Sequence, residues 1–290
     1  MIFAATRNEE GFVTTYKSAA DLSPKSNDYL HALLIALADT KMLLGFHYGE
    51  WTFGTPALEA CIAACSMSQD EFGHLRLFHA CLNAQFQDDP KYLIEQRPLT
   101  QFANTASLDH PLAQWSDFVA VNLLTDGALT VLLTALQRSA FEPVANFIDK
   151  MLEEEKHHLR NAQGWFHTLA THNADTKAAL EESCRRVFSA TLEWLGPADH
   201  EMMRTLEHDK IINMTWQELE QNFLDWIGPL AAAQNVAMSL EQNGKHWRQN
   251  FFLDFKNWSY QTRRCTESQP EEKLMYHLKG SKNAIFKLGE

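Results

Sequence analysis

Two copies of one pattern stand out in this chain of 290 residues: Glu71-Phe72-Gly73-His74 and Glu155-Lys156-His157-His158. On a helix the first and fourth residues of such a run share a face, so each carboxylate and imidazole can reach the same point. Oxygen and imidazole donors so placed suit a divalent transition-metal ion. One copy alone is common on solvated helix faces, so the weight rests on where the two copies fall.

A third acid is conspicuous by its surroundings. Asp126 lies inside Phe118–Leu136, the most apolar stretch of the chain, where a carboxylate needs a cation or hydrogen-bond donors to offset desolvation. The midpoint of Asp126 and Glu155 falls between Ala140 and Phe141, beside the Glu142-Pro143 break. Antiparallel helices joined there hold the two acids level, each roughly 20 Å from the turn at about 1.5 Å per residue. The same rule, applied to Glu71 and the Thr55-Pro56 break, points back to position 41, which is Lys41. Its same-face neighbours Leu37, Ala38, Leu44, Gly45 and Tyr48 offer no acid, and Asp39 lies about 200° around the helix. Three acids and two imidazoles are thus expected at one depth, with an ammonium where a fourth acid belongs. Lys41 is the candidate catalytic residue of the set. His157 points to another face and is expected in solvent, while Cys61 and Cys65, one turn apart, read as packing residues.

The elements that must position these groups are helices. A first is expected from Asn27 or Asp28 to Glu50. Thr55 with Pro56 should open a second that ends near Gln85, with Leu58, Ile62, Cys65 and Phe72 on its inward face. Phe86 to His110 carries Asp88-Asp89-Pro90 and Arg97-Pro98, ends at His110-Pro111, and reads as a long connection of little regular structure. A third helix follows from about Pro111 to Ser139 and a fourth from Glu142-Pro143 to about Ala170. A fifth spans Asp175 to Leu195, and Thr215-Trp216-Gln217-Glu218 is a capping box that announces a sixth. The aromatics from Trp247 to Tyr260 are expected to cover the bundle or form a subunit contact. The whole reads as one domain, residues 1–290. Its core is a four-helix bundle over about 27–170, extended by helices over about 171–264 and closed by a peripheral tail, 265–290.

Composition agrees with an all-α fold: the chain has only 12 Gly and 9 Pro against 45% hydrophobic residues. A net charge of -12 with no basic cluster argues against nucleic acid and anionic membranes as partners. Five cysteines without a C-x-x-C pair suit a reducing compartment better than a disulfide framework, a zinc finger or an iron–sulfur cluster. Met1 to Glu10 does not read as a signal peptide, so a cytoplasmic location is expected. Phe118–Leu136 imitates a membrane span, but Asn122 and Asp126 interrupt it, and a helix buried in a bundle is the better reading.

Over about Asp28 to Glu201 the sequence resembles the phenylacetic acid catabolic family, the ferritin-like subunits of a multicomponent oxygenase that epoxidises phenylacetyl-CoA. Asp70-Glu71-Phe72-Gly73-His74, Thr125-Asp126-Gly127-Ala128 and Glu154-Glu155-Lys156-His157-His158 look like the metal-binding segments of its catalytic subunits. Gly49-Glu50-Trp51, His158-Leu159-Arg160 and Gly164-Trp165 are similar instead to its non-catalytic partner. The resemblance implies a ferritin-like fold and an iron site held by Glu71, His74, Asp126, Glu155 and His158, with Lys41 replacing the ligand acid of the first helix. Lysine replaces a ligand in some metal-free proteins of the superfamily's radical-generating branch. Phe78 stands where that branch carries its tyrosine, so a tyrosyl-radical role is not the expected one.

Three carboxylates and one ammonium leave two negative charges, enough for one divalent ion rather than two. The expectation is a single iron held mainly by Asp126, Glu155 and His158, with Glu71 turned towards Lys41. Electrons would come from an external reductase, since no flavin, nicotinamide or iron–sulfur pattern is present. An aromatic or acyl thioester of coenzyme A would be the small-molecule substrate, and a homo- or hetero-oligomer with another ferritin-like subunit is implied. The alternative is a metal-poor or metal-free structural or partner subunit of a multicomponent oxygenase, in which Lys41 pairs with Glu71 and the histidines make ordinary hydrogen bonds.

Overall fold

The computed structural model describes residues 15–278. The first ten residues, from which the absence of a signal peptide was argued, lie outside them.

Four long helices form the bundle: α1 (Pro24–Trp51), α2 (Leu58–Phe86), α3 (Trp115–Leu136) and α4 (Glu142–His172). α1 packs on α2 and α3 on α4, the two hairpins expected from the breaks in the sequence. α1 starts earlier than its apolar stripe suggests because Ser23 caps it, accepting from the Ser26 backbone N–H, with Pro24 at its first position. α3 is shorter than expected at both ends. At its start, Asp117 accepts the backbone N–H groups of Ala113 and Gln114 at 3.1 Å and so stops the helix from beginning at Pro111. Every residue of α3 from Ser116 to Leu136 is buried. α1 and α3 are long and apolar enough to cross a membrane, yet the apolar window of α1 is 89% buried and that of α3 100% buried inside the fold.

The face assigned to the start of α2 needs correction. Leu58 and Ile62 are 70% and 62% exposed, and Thr55 donates to the Ala57 carbonyl instead of capping the helix, which begins at Leu58. The inward stripe is Ala60, Ala64, Met67, Ser68, Glu71, His74 and Phe78. Its small residues let α1 approach closely. A Cβ on Gly45 would meet Glu71 Cβ at 3.2 Å, and the Ser68 hydroxyl donates to the Gly45 carbonyl at 2.7 Å. Backbone proximity, and not apolar area, sets this face.

Around the bundle lie α5 (Ala174–Leu195), α6 (Glu201–His208) and α7 (Trp216–Ala233), then a hairpin of β1 (Leu240–Asn243) and β2 (His246–Gln249), and α8 (Glu272–Leu278). The capping box at α7 forms as expected, with the Thr215 side chain accepting from the Glu218 N–H and Glu218 accepting from Thr215 N–H at 2.7 Å. Short α6 and the hairpin were not foreseen, since neither is long enough to show a period. The connection 87–114 contains only single turns, as expected, but it is not superficial. Phe102, Ala103 and Leu108 are buried, and Asp39 of α1 anchors it by pairing with Arg97 and accepting the Ala103 N–H at 2.9 Å.

The aromatics of the C-terminal segment cover the bundle through close contacts at glycines: Trp258 at Gly196, Trp247 at Gly228. The tail expected to be peripheral from residue 265 is in part built in, with Leu274 and Met275 of α8 buried and the Glu271 N–H bonded to the Asp109 carbonyl. Residues 279–290 lie outside the described part.

Trp226 of α7 rests on α3 beside the candidate site. A Cβ at Gly127 would come within 2.4 Å of its ring. Gly127→Ala gains up to about 1 kcal/mol of helix propensity but overpacks the ring, so the expected net result is a destabilisation of about 1–2 kcal/mol, read from the urea midpoint at unchanged m.

Candidate metal centre

The hairpin geometry holds. Lys41, Glu71, Asp126, Glu155 and His158 are fully buried and His74 is 1% exposed, all at one depth of the bundle. Among the described residues, Glu71, Asp126, Glu155 and His158 form a set whose donor atoms lie within 4.8 Å of one another. His74 stands at its edge, its Nδ1 3.4 Å from Glu155 and 3.7 Å from Glu71.

Lys41 sits among the three acids. Its Nζ donates to Glu71 Oε1 at 2.9 Å and to Glu155 Oε1, and lies 3.8 Å from Asp126 Oδ1. It therefore joins both halves of the bundle, where only Glu71 was expected as its partner. Burial acts against the ammonium, but Glu155, Glu71 and Asp126 outweigh it and hold the Lys41 pKa above its ordinary value. A deprotonated lysine acting as base or ligand is thereby disfavoured. Burial likewise opposes ionisation of Glu71 and Glu155, yet Lys41 beside them carries both below the usual carboxylate range.

The two histidines are held in a crossed arrangement. His158 of α4 directs Nε2 to Asp70 of α2 at 3.3 Å, and His74 of α2 directs Nε2 to Glu154 of α4 at 2.8 Å. Each outer acid immediately precedes the Glu of one motif and orients the imidazole of the other, leaving Nδ1 facing inward. Burial lowers the affinity of both rings for protons, but the carboxylates around them prevail. Glu155 and Glu71 hold His74 up at about 9, and Glu155 and Asp126 raise His158 well above its ordinary value. Asp126 is further fixed by Tyr48, whose hydroxyl donates to Oδ2 at 2.6 Å, and by Asn122 Nδ2 at 2.9 Å. Asn161 in turn donates to the side-chain carbonyl of Asn122 at 3.1 Å.

Tyr48, Asn122, Asp70 and Glu154 were not assigned roles from the sequence. Asp70 and Glu154 left a visible trace, an acid directly before each Glu-x-x-His. Tyr48 lies two turns from Lys41 on the same face. Asn122 and Asp126 are one turn apart, which puts the amide next to the acid. His157 is exposed, as expected, and Cys61 and Cys65 are half-buried on the outer side of α2.

Buried donor atoms left without a hydrogen bond converge on the same spot: Glu71 Oε2, Asp126 Oδ1, Glu155 Oε2, His74 Nδ1 and His158 Nδ1. Unsatisfied buried acceptors are costly, and a cation among them would remove that cost. The charges fit one divalent ion. Three carboxylates with one ammonium are neutralised either by two imidazolium protons or by a single divalent ion displacing those protons. A second ion would leave a double positive charge on these six residues, to be offset by groups outside them.

Two surface clefts, of about 690 and 700 Å³, lie along the 96–100 connection and the C-terminal cover. Neither is lined by a residue of the acid–histidine cluster.

The profile of the family described as phenylacetic acid catabolic protein matches residues 13–254. The chain belongs to that family. Its all-α architecture is the ferritin-like one that the family shares, and the crossed Glu-x-x-His pairs occupy the centre of the bundle. Among curated proteins it is similar to one of the subunits of 1,2-phenylacetyl-CoA epoxidase from Escherichia coli (strain K12). The two are 28% identical over 183 residues, which is 61% of this chain and 58% of that protein. The chain therefore spans less than two thirds of the length of this relative.

Proposed function

We propose that this family member is an oxygenase-type enzyme whose bundle holds one iron ion, oxidising an organic substrate of the aromatic or acyl-thioester class. The observation that carries the reading is the gathering of buried ligand atoms from Glu71, Asp126, Glu155 and His158 within 4.8 Å of one another, each residue with one such atom making no hydrogen bond. Those four side chains would hold the ion, with His74 at the edge. A bound ferrous ion supplies dioxygen binding and activation. The chain contributes the rest. α3, buried along almost its whole length, keeps bulk water from Asp126, Asp70 and Glu154 fix the imidazoles so that Nδ1 points inward, and Tyr48 and Asn122 fix the carboxylate of Asp126. Lys41 Nζ keeps its proton and spans Glu71 and Glu155, limiting the site to a single ion.

The reading brings partners with it: a separate reductase as electron source and another ferritin-like subunit, given that the relative is named as one component of an epoxidase. It also takes the chain as one unit working in the cytoplasm.

A second reading is favoured by a specific contact. Lys41 already neutralises parts of three carboxylates, and with both histidines protonated the cluster is balanced without metal. On that reading the chain is a metal-free partner of an active homologue. Anaerobic loading of the purified chain with excess ferrous iron, desalting and elemental analysis separate the two. About one iron per chain is expected from the charge balance. Two would overturn the single-ion site, and none would overturn the iron reading in favour of the metal-free one.

A further inference from the structure

The cluster is connected to the surface by aromatic rings. Tyr48 is fully buried, its hydroxyl on Asp126 and its ring centroid 5.0 Å from Phe118. Phe118 stacks on Trp115 at 4.4 Å with the planes 16° apart. Trp115 lies 5.5 Å from Trp51 and 5.2 Å from Trp165. Trp51 follows Tyr48 by three residues on the same face of α1, and its indole donates to the Leu112 carbonyl at 3.1 Å. Trp51, Trp115 and Trp165 are all partly open to solvent. Tyrosine and tryptophan are the aromatic side chains that lose an electron most readily. Here Phe118 lies between the tyrosine and the tryptophans, the rings run in contact from a buried acid to the outside, and the tyrosine holds a hydrogen bond to that acid. The hydroxyl that satisfies the buried carboxylate of Asp126 is thus also the inner end of this run of rings.

We propose that Tyr48 is a redox-active residue, joined to the surface through Trp51, Trp115 and Trp165, and that it carries single-electron oxidation between the buried centre and the outside. In the forward step a one-electron oxidant takes an electron from Tyr48, the phenolic O–H breaks, and the proton passes to Asp126 Oδ2, leaving a phenoxyl radical and a reduced oxidant. In the return step Trp115 or Trp51 gives an electron to the phenoxyl, which recovers its proton from Asp126. The tryptophan is refilled from Trp165, and Trp165 from a soluble reductant at the surface. The oxidant in the cell, an oxygen-derived species, rests on the oxygenase reading above. The competence of the chain of rings does not.

The test therefore uses the full chain without metal. Ruthenium tris-bipyridine with persulfate, illuminated and frozen, oxidises surface tryptophans, and electron paramagnetic resonance reads the radical that persists after a brief exposure to ascorbate. The expected signal is a tyrosyl radical protected from ascorbate and lost in Tyr48→Phe, a change that removes one hydroxyl and leaves the ring packed. Trp165→Phe, at a half-exposed position, should lose most of the same signal. If Tyr48→Phe fails to fold, the Trp165→Phe comparison decides. A protected signal that survives Tyr48→Phe, a yield indifferent to Trp165→Phe, or no protected signal at all overturns the relay. None of these outcomes bears on the iron stoichiometry, so failure here is distinct from failure of the single-ion reading.

Discussion

Lys41→Glu raises the iron held by the loaded chain from about one ion to about two, because a fourth carboxylate replaces the one cation that occupies the centre. In the native chain the ammonium bonds Glu71 and Glu155 and lies 3.8 Å from Asp126. It does the work of half a divalent ion. Removing it has a second consequence. Four buried carboxylates in the metal-free variant have only two imidazolium protons to balance them, and breaking a buried ion pair on one side costs about 3–5 kcal/mol. Denaturation midpoints should therefore fall steeply without metal and recover on adding ferrous iron, since an ion bound only by the folded state stabilises it by mass action. Elemental analysis and urea titration with and without iron read the two effects. Unchanged loading in Lys41→Glu would show that position 41 is no ligand position.

Asp39→Ala should destabilise the fold by about 3–5 kcal/mol while leaving iron loading as it was. Asp39 is two residues from Lys41 but on another face of α1. There it pairs with buried Arg97 and accepts the Ala103 N–H, and Arg97 lies over the Phe102 ring at 4.2 Å. Loss of the acid strands a buried guanidinium and releases the strap that the 87–114 connection lays across α1. Urea unfolding measures the loss, and hydrogen exchange at Ala103 should accelerate more than exchange in α3. If iron loading fell in parallel with stability, the strap and the centre would be coupled, and the two networks would not be independent.

These lysine- and arginine-centred networks differ in their charge balance. Arg97 and Asp39 form a one-to-one couple, with the Ala103 N–H completing the acid while Arg97 Nε makes no hydrogen bond. At Lys41 the acids outnumber the ammonium, and five buried atoms from both hairpins make no hydrogen bond, lying instead 3.3 to 3.8 Å from ion-pair partners within the cluster. A stabilising network would be expected to satisfy its own lone pairs. This one holds them at ion-pair distance without completing their hydrogen bonds.

Much of this was legible in the residues. The two Glu-x-x-His runs, the acid inside an apolar helix, and the arithmetic of chain distance about two turns were enough to place six side chains at one level, because helical rise is constant and hairpins fold back on themselves. The substitution at position 41 was visible for the same reason. What required the folded chain was everything that depends on the angle and distance between helices. Nothing local in the sequence says that α2 turns Leu58 and Ile62 outward, since that follows from Gly45 and Ser68 drawing two backbones together. Nor does it say that Lys41 reaches across to Glu155, that Asp70 and Glu154 exchange partners between helices, or that Tyr48 meets Asp126. Those contacts join residues far apart in the chain, and only packing, which balances close approach against buried charge, selects them from the many that the periodicity allows.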